Sequence, residues 1–460
     1  MAKPIGRSAN GEDHLIQRLV KRVLQELRKT PVGIATYTVG LDSRLEKLKM
    51  RFTDDKSNRG TRHVQGLILD FEKKNYVRTQ KISWVKALNP SSSLDYLIEK
   101  RKLFLQQRAE EGELILDTKA LKSLVNLRLL QINHAKVKGQ FKSFPASLKW
   151  LQWKNCPLKK LPSDYAPHEL AVLDLSESGI QRVWGWTRNK VAENLMVMNL
   201  RRCYNLEASP DLSGCKKLLQ NLILSDCLKL EELPQDIGSM NSLKELVVDK
   251  TAISMLPQSL YRLTKLEKLS LNGCKFIKRL PERLGNLIAL KELSLNHSAV
   301  QELPDSIGSL SNLEKLSLMR CQSLTAIPES IRNLQSLMEV SINSSAIKEL
   351  PAAIGSLPYL KTFFAGGCHF LSKLPDSIGG LASISELELD GTSISELPEQ
   401  ISGLKMIEKL YLRKCTSLRA LPEAIGNILN LTTIYLSGCN ITELPESFGR
   451  LEKPCDVDIG

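Results

Sequence analysis

The chain has 460 residues, of which 42% are hydrophobic, 25% charged and 5% aromatic, with ten cysteines and a formal net charge of +14. This balance excludes a wholly disordered chain, and the lack of any apolar run of about 18 residues excludes a membrane-spanning helix. The cysteines are never closer than 12 residues apart, which excludes a dense disulfide framework and a CxxC zinc or redox pair and suits a reducing compartment.

In chain order, the opening MAKPIGRSANGEDHLIQ has no apolar stretch behind its first basic residues and meets Glu12 and Asp13 early. Neither a secretory signal nor a transit peptide is expected, so the expected location is the cytoplasm or the nucleus. Residues 13–29 place Leu15, Ile16, Leu19, Val20, Val23, Leu24 and Leu27 at gaps of one and three. That spacing predicts an amphipathic helix with a basic opposite face, packed on a neighbouring domain. Residues 51–61 are polar and turn-rich and read as a junction, Val64, Leu67, Ile68 and Leu69 predict a strand, and residues 73–117 are charged and helical in part. Charge is uneven along the chain: residues 1–120 carry +9, residues 121–230 carry +9 and residues 231–460 carry −4. The basic residues are scattered among apolar ones without an aromatic-interleaved or Gly/Arg-rich tract, so nucleic acid is disfavoured as a partner.

Prolines preceded by Leu or Ile recur at Pro234, Pro257, Pro281, Pro304, Pro328, Pro351, Pro375, Pro398, Pro422 and Pro445, with gaps alternating between 23 and 24 residues. Each unit reads LxxLxxLxLxx(C/T/S)xxLxxLPxxI, as in Leu266, Leu269, Leu271, Cys274, Ile277, Leu280 and Pro281. This is the leucine-rich repeat pattern, in which LxL is a short parallel strand and the units stack. Weaker units precede it at Leu124/Leu127/Leu130/Ile132, Leu148/Leu151/Trp153/Cys156, Leu170/Leu173/Leu175, Leu195/Met198/Leu200 and Leu219/Leu222/Leu224. The fold class is therefore α/β, a leucine-rich-repeat solenoid with a curved parallel sheet of about thirteen strands and a helical N-terminal extension. The division expected is a helical linker and junction over 1–60, a pre-repeat segment over 61–120 and the solenoid over 121–460.

Cys227, Cys274, Cys321, Cys368 and Cys415 are spaced by 47 residues and share one turn position with Thr251, Ser298, Ser345 and Thr392 of the intervening units. A small donor there can satisfy backbone carbonyls of the turn, so these residues are expected to form an inert buried ladder rather than a metal or redox site. On the exposed, concave face of the strands the column Glu245, Lys268, Glu292, Lys315, Glu339, Thr362, Glu386, Lys409 and Thr433 alternates acid and base apart from its two threonines and predicts a ladder of neighbouring opposite charges. Between the inward residues the column reads Ser270, Ser294, Ser317, Ser341 and then Phe364, Glu388, Tyr411, Tyr435. Phe364, Tyr411 and Tyr435, with Arg413 and Lys414, are the expected protein-binding group, since Tyr and Arg dominate binding hot spots.

The helix at 13–29 followed by TYTVGLDSRLEKLKM resembles the linker between the TIR and nucleotide-binding domains of plant TIR-type nucleotide-binding leucine-rich-repeat disease resistance proteins. RGTRHVQGLILDF resembles the segment that opens the repeat region of that family. The run FPASLKWLQWKNCPLKKLPSDYAPHELAVLDLSESGIQRVW is similar to its first repeats, and the LPxxIGxLxxLxxLxLxxC units to its later ones. No Gly is followed by Lys, so there is no phosphate-cradling GxxxxGK[ST] loop, and only a few residues stand between Met50 and Gly60 where the family carries its nucleotide-binding domain. The family's nucleotide switch and the NAD-cleaving glutamate of its TIR domain consequently have no matching positions. The expectation is a chain that lost these domains by truncation, splicing, a mis-joined gene or degeneration.

Six scattered histidines and the absence of HExxH, GxSxG or paired carboxylates argue against an enzyme, and no cofactor, metal or small-molecule substrate is expected. The resemblance implies a non-catalytic recognition module of plant intracellular immunity, whose partner is a pathogen effector, a guarded host protein or a receptor domain. Two alternatives are an intracellular signalling scaffold and a cell-surface receptor ectodomain, the latter nominally favoured by sequons at Asn296, Asn343, Asn430 and Asn440. At the other end the last unit passes Leu444-Pro445 with no further apolar pattern, so Leu431, Ile434, Leu436 and Ile441 are expected under little cover.

Overall fold

The computed structural model describes residues 66–70, 85–87, 115–122, 127–162, 165, 168–183, 192–451 and 456–458. The helix expected at 13–29 and the junction at 51–61 lie outside them. The chain divides into two compact units, one formed by residues 1–156 with 162–174 and the other by residues 157–161 with 175–460.

In the first unit the strand expected around Leu67 is Gly66–Asp70. It pairs antiparallel with Val85–Ala87 and parallel with Leu129–Asn133. Trp150–Gln152 and Val172–Asp174 extend the sheet in parallel, and Ile115–Asp117 pairs separately with Lys136–Lys138. The core is aromatic. Phe141 stacks on Phe144 with ring centroids 5.0 Å apart, Trp153 lies 6.1 Å from Phe141, and Tyr165 meets Phe144 edge-on at 5.4 Å. Buried Trp153 satisfies its indole N–H by donating to the Ala135 carbonyl at 3.0 Å.

The second unit is built from three-residue strands, Val197–Asn199 first and Asp456–Asp458 last, each pairing in parallel and in register with the next. Alternation along LxL sends Leu246, Leu269, Leu293, Leu316, Leu387 and Leu410 inward, all fully buried, as the two-residue period of a strand requires. The return limb is a 3-10 helix of three to five residues, such as Asp305–Ser309 or Glu399–Gly403. A repeat of this length leaves room for one tight turn, and proline supplies its start: Pro304 and Pro398 stand at the N-cap with extended backbone and need no N–H there. Among the described residues, α-helix is confined to Thr118–Leu121, whose N-cap Asp117 accepts from the Lys119 N–H at 2.9 Å.

The alternation of 23 and 24 residues has a local cause. In the units of Cys274, Cys321, Cys368 and Cys415 an extra residue follows the Cys, unlike that of Cys439, and a second turn closes on the Cys carbonyl, at 3.2 Å from the Leu324 N–H to Cys321 and 3.0 Å from the Leu418 N–H to Cys415. Units that carry Ser or Thr lack that residue, and the next N–H reaches the preceding repeat instead, as Ala299 does to Cys274 and Ala346 to Cys321, both at 3.3 Å.

Candidate functional site

At the shared position Cys227, Thr251, Cys274, Ser298, Cys321, Ser345, Cys368, Thr392 and Cys415 are buried, and Cys439, next in the series, is half-buried. Each Cys donates to the carbonyl of the last inward strand residue one repeat back: Cys274 to Val248 at 3.2 Å, and Cys321 to Leu295, Cys368 to Ile342 and Cys415 to Leu389 at 3.1 Å. Thr251 and Thr392 donate to the carbonyl of their own repeat, Val248 and Leu389, at 2.9 and 2.8 Å. One carbonyl thus accepts from both members of a Thr–Cys pair, and the hydroxyl and thiol lie 3.4–3.6 Å apart in the two Thr–Cys and the two Ser–Cys pairs. Burial pushes the thiols of Cys274, Cys321, Cys368 and Cys415 up, which disfavours the reactive thiolate. Among the described residues no group of three or more His, Cys, Asp or Glu side chains could hold a metal ion.

The serine column differs from the exposed polar strip that alternation suggests. Ser270, Ser317 and Ser341 are buried, and Ser294 is half-buried. Ser270 donates to Asp249 Oδ1 at 2.6 Å, Ser294 to Asn272 Oδ1 at 2.6 Å and Ser317 to Asn296 Oδ1 at 2.7 Å. The same oxygens accept the backbone N–H of Asn272, Asn296 and Met319, each at 2.8 Å. Asp249, Asn272 and Asn296 form a second ladder that sequence reading missed. Its signal was there, in Asp or Asn two residues beyond the serine column. The charge ladder is likewise discrete rather than continuous: Lys268–Glu292 (3.2 Å), Lys315–Glu339 (2.7 Å) and Lys409–Glu386 (2.9 Å) pair across neighbouring strands.

Beyond this ladder the face changes character. Tyr411 and Tyr435 occupy adjacent positions of paired strands and stack with centroids 4.7 Å apart at 9°. The Arg413 guanidinium lies 3.9 Å from the Tyr435 centroid and 5.9 Å from that of Tyr411, with its Nη1 3.7 Å from Asp390 Oδ2. Three of the five expected binding residues are therefore together. Phe364 is not with them: the register is Phe364, Glu388, Tyr411, Tyr435, so a carboxylate intervenes. Lys414 stands on the turn, exposed, at a φ of 58°, its N–H donating to the Ser437 carbonyl at 2.8 Å.

Glu388 and Asp390 complete this region and were not among the expected site residues. Glu388 reaches past Gly366 to accept from Asn343 Nδ2 at 3.3 Å, two strands away, and Asp390 accepts the Arg413 N–H at 2.7 Å. A Cβ at 366 would stand 2.5 Å from Glu388 Oε1, so the reach depends on glycine. Burial pushes both carboxyls above the ordinary carboxylate range.

The profile described as "Leucine-rich repeat region" matches residues 189–318 and 274–364, and that described as "Leucine Rich Repeat" matches residues 430–451. The chain carries leucine-rich repeats over these residues. Its relatives include the Disease resistance protein RML1A of Arabidopsis thaliana, 32% identical over 164 residues, covering 34% of this chain and 16% of that protein. Another is the Protein SUPPRESSOR OF npr1-1, CONSTITUTIVE 1 of the same plant, 29% identical over 236 residues, covering 46% of this chain and 15% of that protein. The matches thus span about one sixth of these relatives' length, and the resemblance to plant resistance proteins is met over the leucine-rich repeats. A leucine-rich repeat protein of Leptospira interrogans shares the fold with a TM-score of 0.50 at 24% identity, covering 74% of this chain and 91% of that one. Within the leucine-rich repeat frame, the aromatic group falls on the sheet face at the strands Lys409–Tyr411 and Thr433–Tyr435. Among the described residues no helix is long and apolar enough to cross a membrane.

Proposed function

We propose that this chain is a non-catalytic recognition module of plant intracellular immunity, which binds a protein partner through the sheet face around Tyr411, Arg413 and Tyr435. The observation that carries the reading is the pre-organised stack. Two tyrosines and an arginine are already packed on one another, so little side-chain entropy is lost when a partner covers them. Phe364 and Lys414 extend the contact on either side. The curated relatives, disease resistance proteins, support the biological setting. A pathogen effector, a guarded host protein and a receptor domain are the partner classes that this reading admits.

The sequons favour the intracellular module over a receptor ectodomain. Asn296 Nδ2 donates to Ser294 at 3.2 Å, Asn343 Nδ2 to Glu388 at 3.3 Å, Asn430 Nδ2 to the Lys405 carbonyl at 2.7 Å and Asn440 Nδ2 to the Thr416 carbonyl at 2.6 Å. A glycan on any of these nitrogens would take one of its two amide hydrogens and crowd a bond that ties one repeat to another or to its own strand. Glycosidase treatment of protein from plant cells is expected to leave its mobility unchanged.

The direct test is quantitative affinity capture in plant tissue with wild type and Tyr411→Ala/Tyr435→Ala at equal expression. Partners retained by the wild type should fall at least about tenfold with the variant, the loss of two hot-spot residues. An unchanged partner set from a folded variant would remove this surface from the function.

A further inference from the structure

Resting on the reading of this face as the binding surface, we propose that Glu388, set between Phe364 and Tyr411, selects a partner that presents an arginine side chain, whose guanidinium enters between the two rings and pairs with the carboxylate. Three features of the face carry the proposal. The first is register. Phe364 pairs with Glu388 and Glu388 with Tyr411 on consecutive parallel strands, so the backbone of Glu388 stands about 4.8 Å from each of two strands that carry half-buried rings, while its carboxylate leans past Gly366 towards Asn343. An acidic position flanked by rings on the neighbouring strands is the surrounding that a planar, weakly hydrated cation fits, because ring faces attract it and the carboxylate accepts its N–H groups.

The second feature is charge. Lys268, Lys315 and Lys409 each meet a glutamate of the neighbouring strand within 3.2 Å, so Glu292, Glu339 and Glu386 are neutralised internally. Glu388 forms no ion pair within 4.0 Å among the described residues; its partner is the neutral amide of Asn343, and Arg413 acts on it only from farther away. Half-buried and held above the ordinary carboxylate range by that burial, it gains from an incoming cation what its own chain does not supply.

The third feature is a precedent within the chain. One strand on, Arg413 lies over Tyr435 at 3.9 Å and beside Asp390 at 3.7 Å. That is a guanidinium held between a ring and a carboxylate on this same sheet face. Phe364 and Glu388 offer a ring and a carboxylate without an arginine, and Tyr411 meets Arg413 only at 5.9 Å. Lysine is expected to fit less well, since a compact, strongly hydrated ammonium gains less from the ring faces.

A displayed library of random linear heptapeptides tests this, panned on the full chain and read against Glu388→Gln, which keeps an acceptor for Asn343, and against Tyr411→Ala/Tyr435→Ala. Arginine should be enriched at least threefold over the input library at one position, and the selected peptides should bind Glu388→Gln at least tenfold more weakly. Replacing that arginine by lysine should weaken binding less than replacing it by alanine. Thermal midpoints of both variants within a few degrees of wild type show that the fold is intact. Peptides that lose binding to the tyrosine variant but bind Glu388→Gln within twofold overturn the arginine inference and leave the binding surface standing. Peptides indifferent to both variants, or a library that yields no binder dependent on this face, overturn both.

Discussion

Val247 explains why the second ladder begins with an acid. In the next repeats Asn272 and Asn296 donate an amide hydrogen to the serine two residues before, Ser270 and Ser294, at 2.9 and 3.2 Å. Val247 in the corresponding place offers no acceptor, so a residue that only accepts, Asp249, fits where Asn would carry an orphaned N–H. Asp249→Asn is expected to destabilise by about 1 kcal/mol, and Val247→Ser/Asp249→Asn to recover most of it, a coupling that a double-mutant denaturation cycle reads directly. Burial holds the Asp249 carboxyl above its ordinary value of 3.8. The sign follows: the folded state binds the proton more tightly than the unfolded one, so this group favours folding at low pH. That contribution falls as pH rises from 3.8 through the raised folded value, and it vanishes in the Asn variant. The cysteine position gives a second test. Cys321→Ser should cost within about 1–2 kcal/mol because a hydroxyl already fills the equivalent place at Ser298 and Ser345, whereas Cys321→Leu overpacks a fully buried turn and should cost more. Equal thermal shifts would contradict the bonding described here.

At the scale of the repeat element, the 3-10 limbs stack through glycine. A Cβ on Gly355 would collide with the Ser377 carbonyl of the next limb, and one on Gly308 with that of Ser330. At Gly449, the same position of a later repeat, nothing among the described residues lies within 4 Å of where the Cβ would stand. Gly355→Ala is therefore expected to cost about 2–3 kcal/mol, because backbone has to move, while Gly449→Ala stays within about 0.5 kcal/mol of wild type. Chemical denaturation of the two single variants separates them. The pair isolates stacking between limbs from backbone propensity, which is the same in both.

Over the whole molecule, an array buries each unit on its neighbours, so protection from exchange follows the cover that a unit receives. Leu431, Ile434 and Leu436 are buried as deeply as interior leucines, and Asp456–Asp458 adds a strand in register with Thr433–Tyr435. That strand was not expected from the sequence, since its single apolar residue, Val457, carries no repeat pattern. Ile441, by contrast, is half-buried. Amides near Leu293 and Leu318 should exchange most slowly, those near Leu436 at an intermediate rate and those near Ile441 fastest, as hydrogen–deuterium exchange on the intact chain will read. Uniform protection would mean that the last repeats are covered as fully as the middle ones.

The period of 23 and 24 residues, the inward leucines and the small donor at the Cys/Thr/Ser position were legible in the sequence by itself, because stacking identical units forces identical positions into identical surroundings. The stack of Tyr411, Arg413 and Tyr435 was legible as a composition but not as a contact. What only the tertiary structure decided lies between repeats: which carbonyl each thiol reaches, which lysine takes which glutamate, that the serines are committed to Asp249, Asn272 and Asn296, and that Glu388 reaches past Gly366 to Asn343. These bonds join residues 21–45 positions apart and depend on side-chain reach across a strand spacing. A linear pattern fixes which residues face one another but not which of two equidistant neighbours a flexible side chain takes.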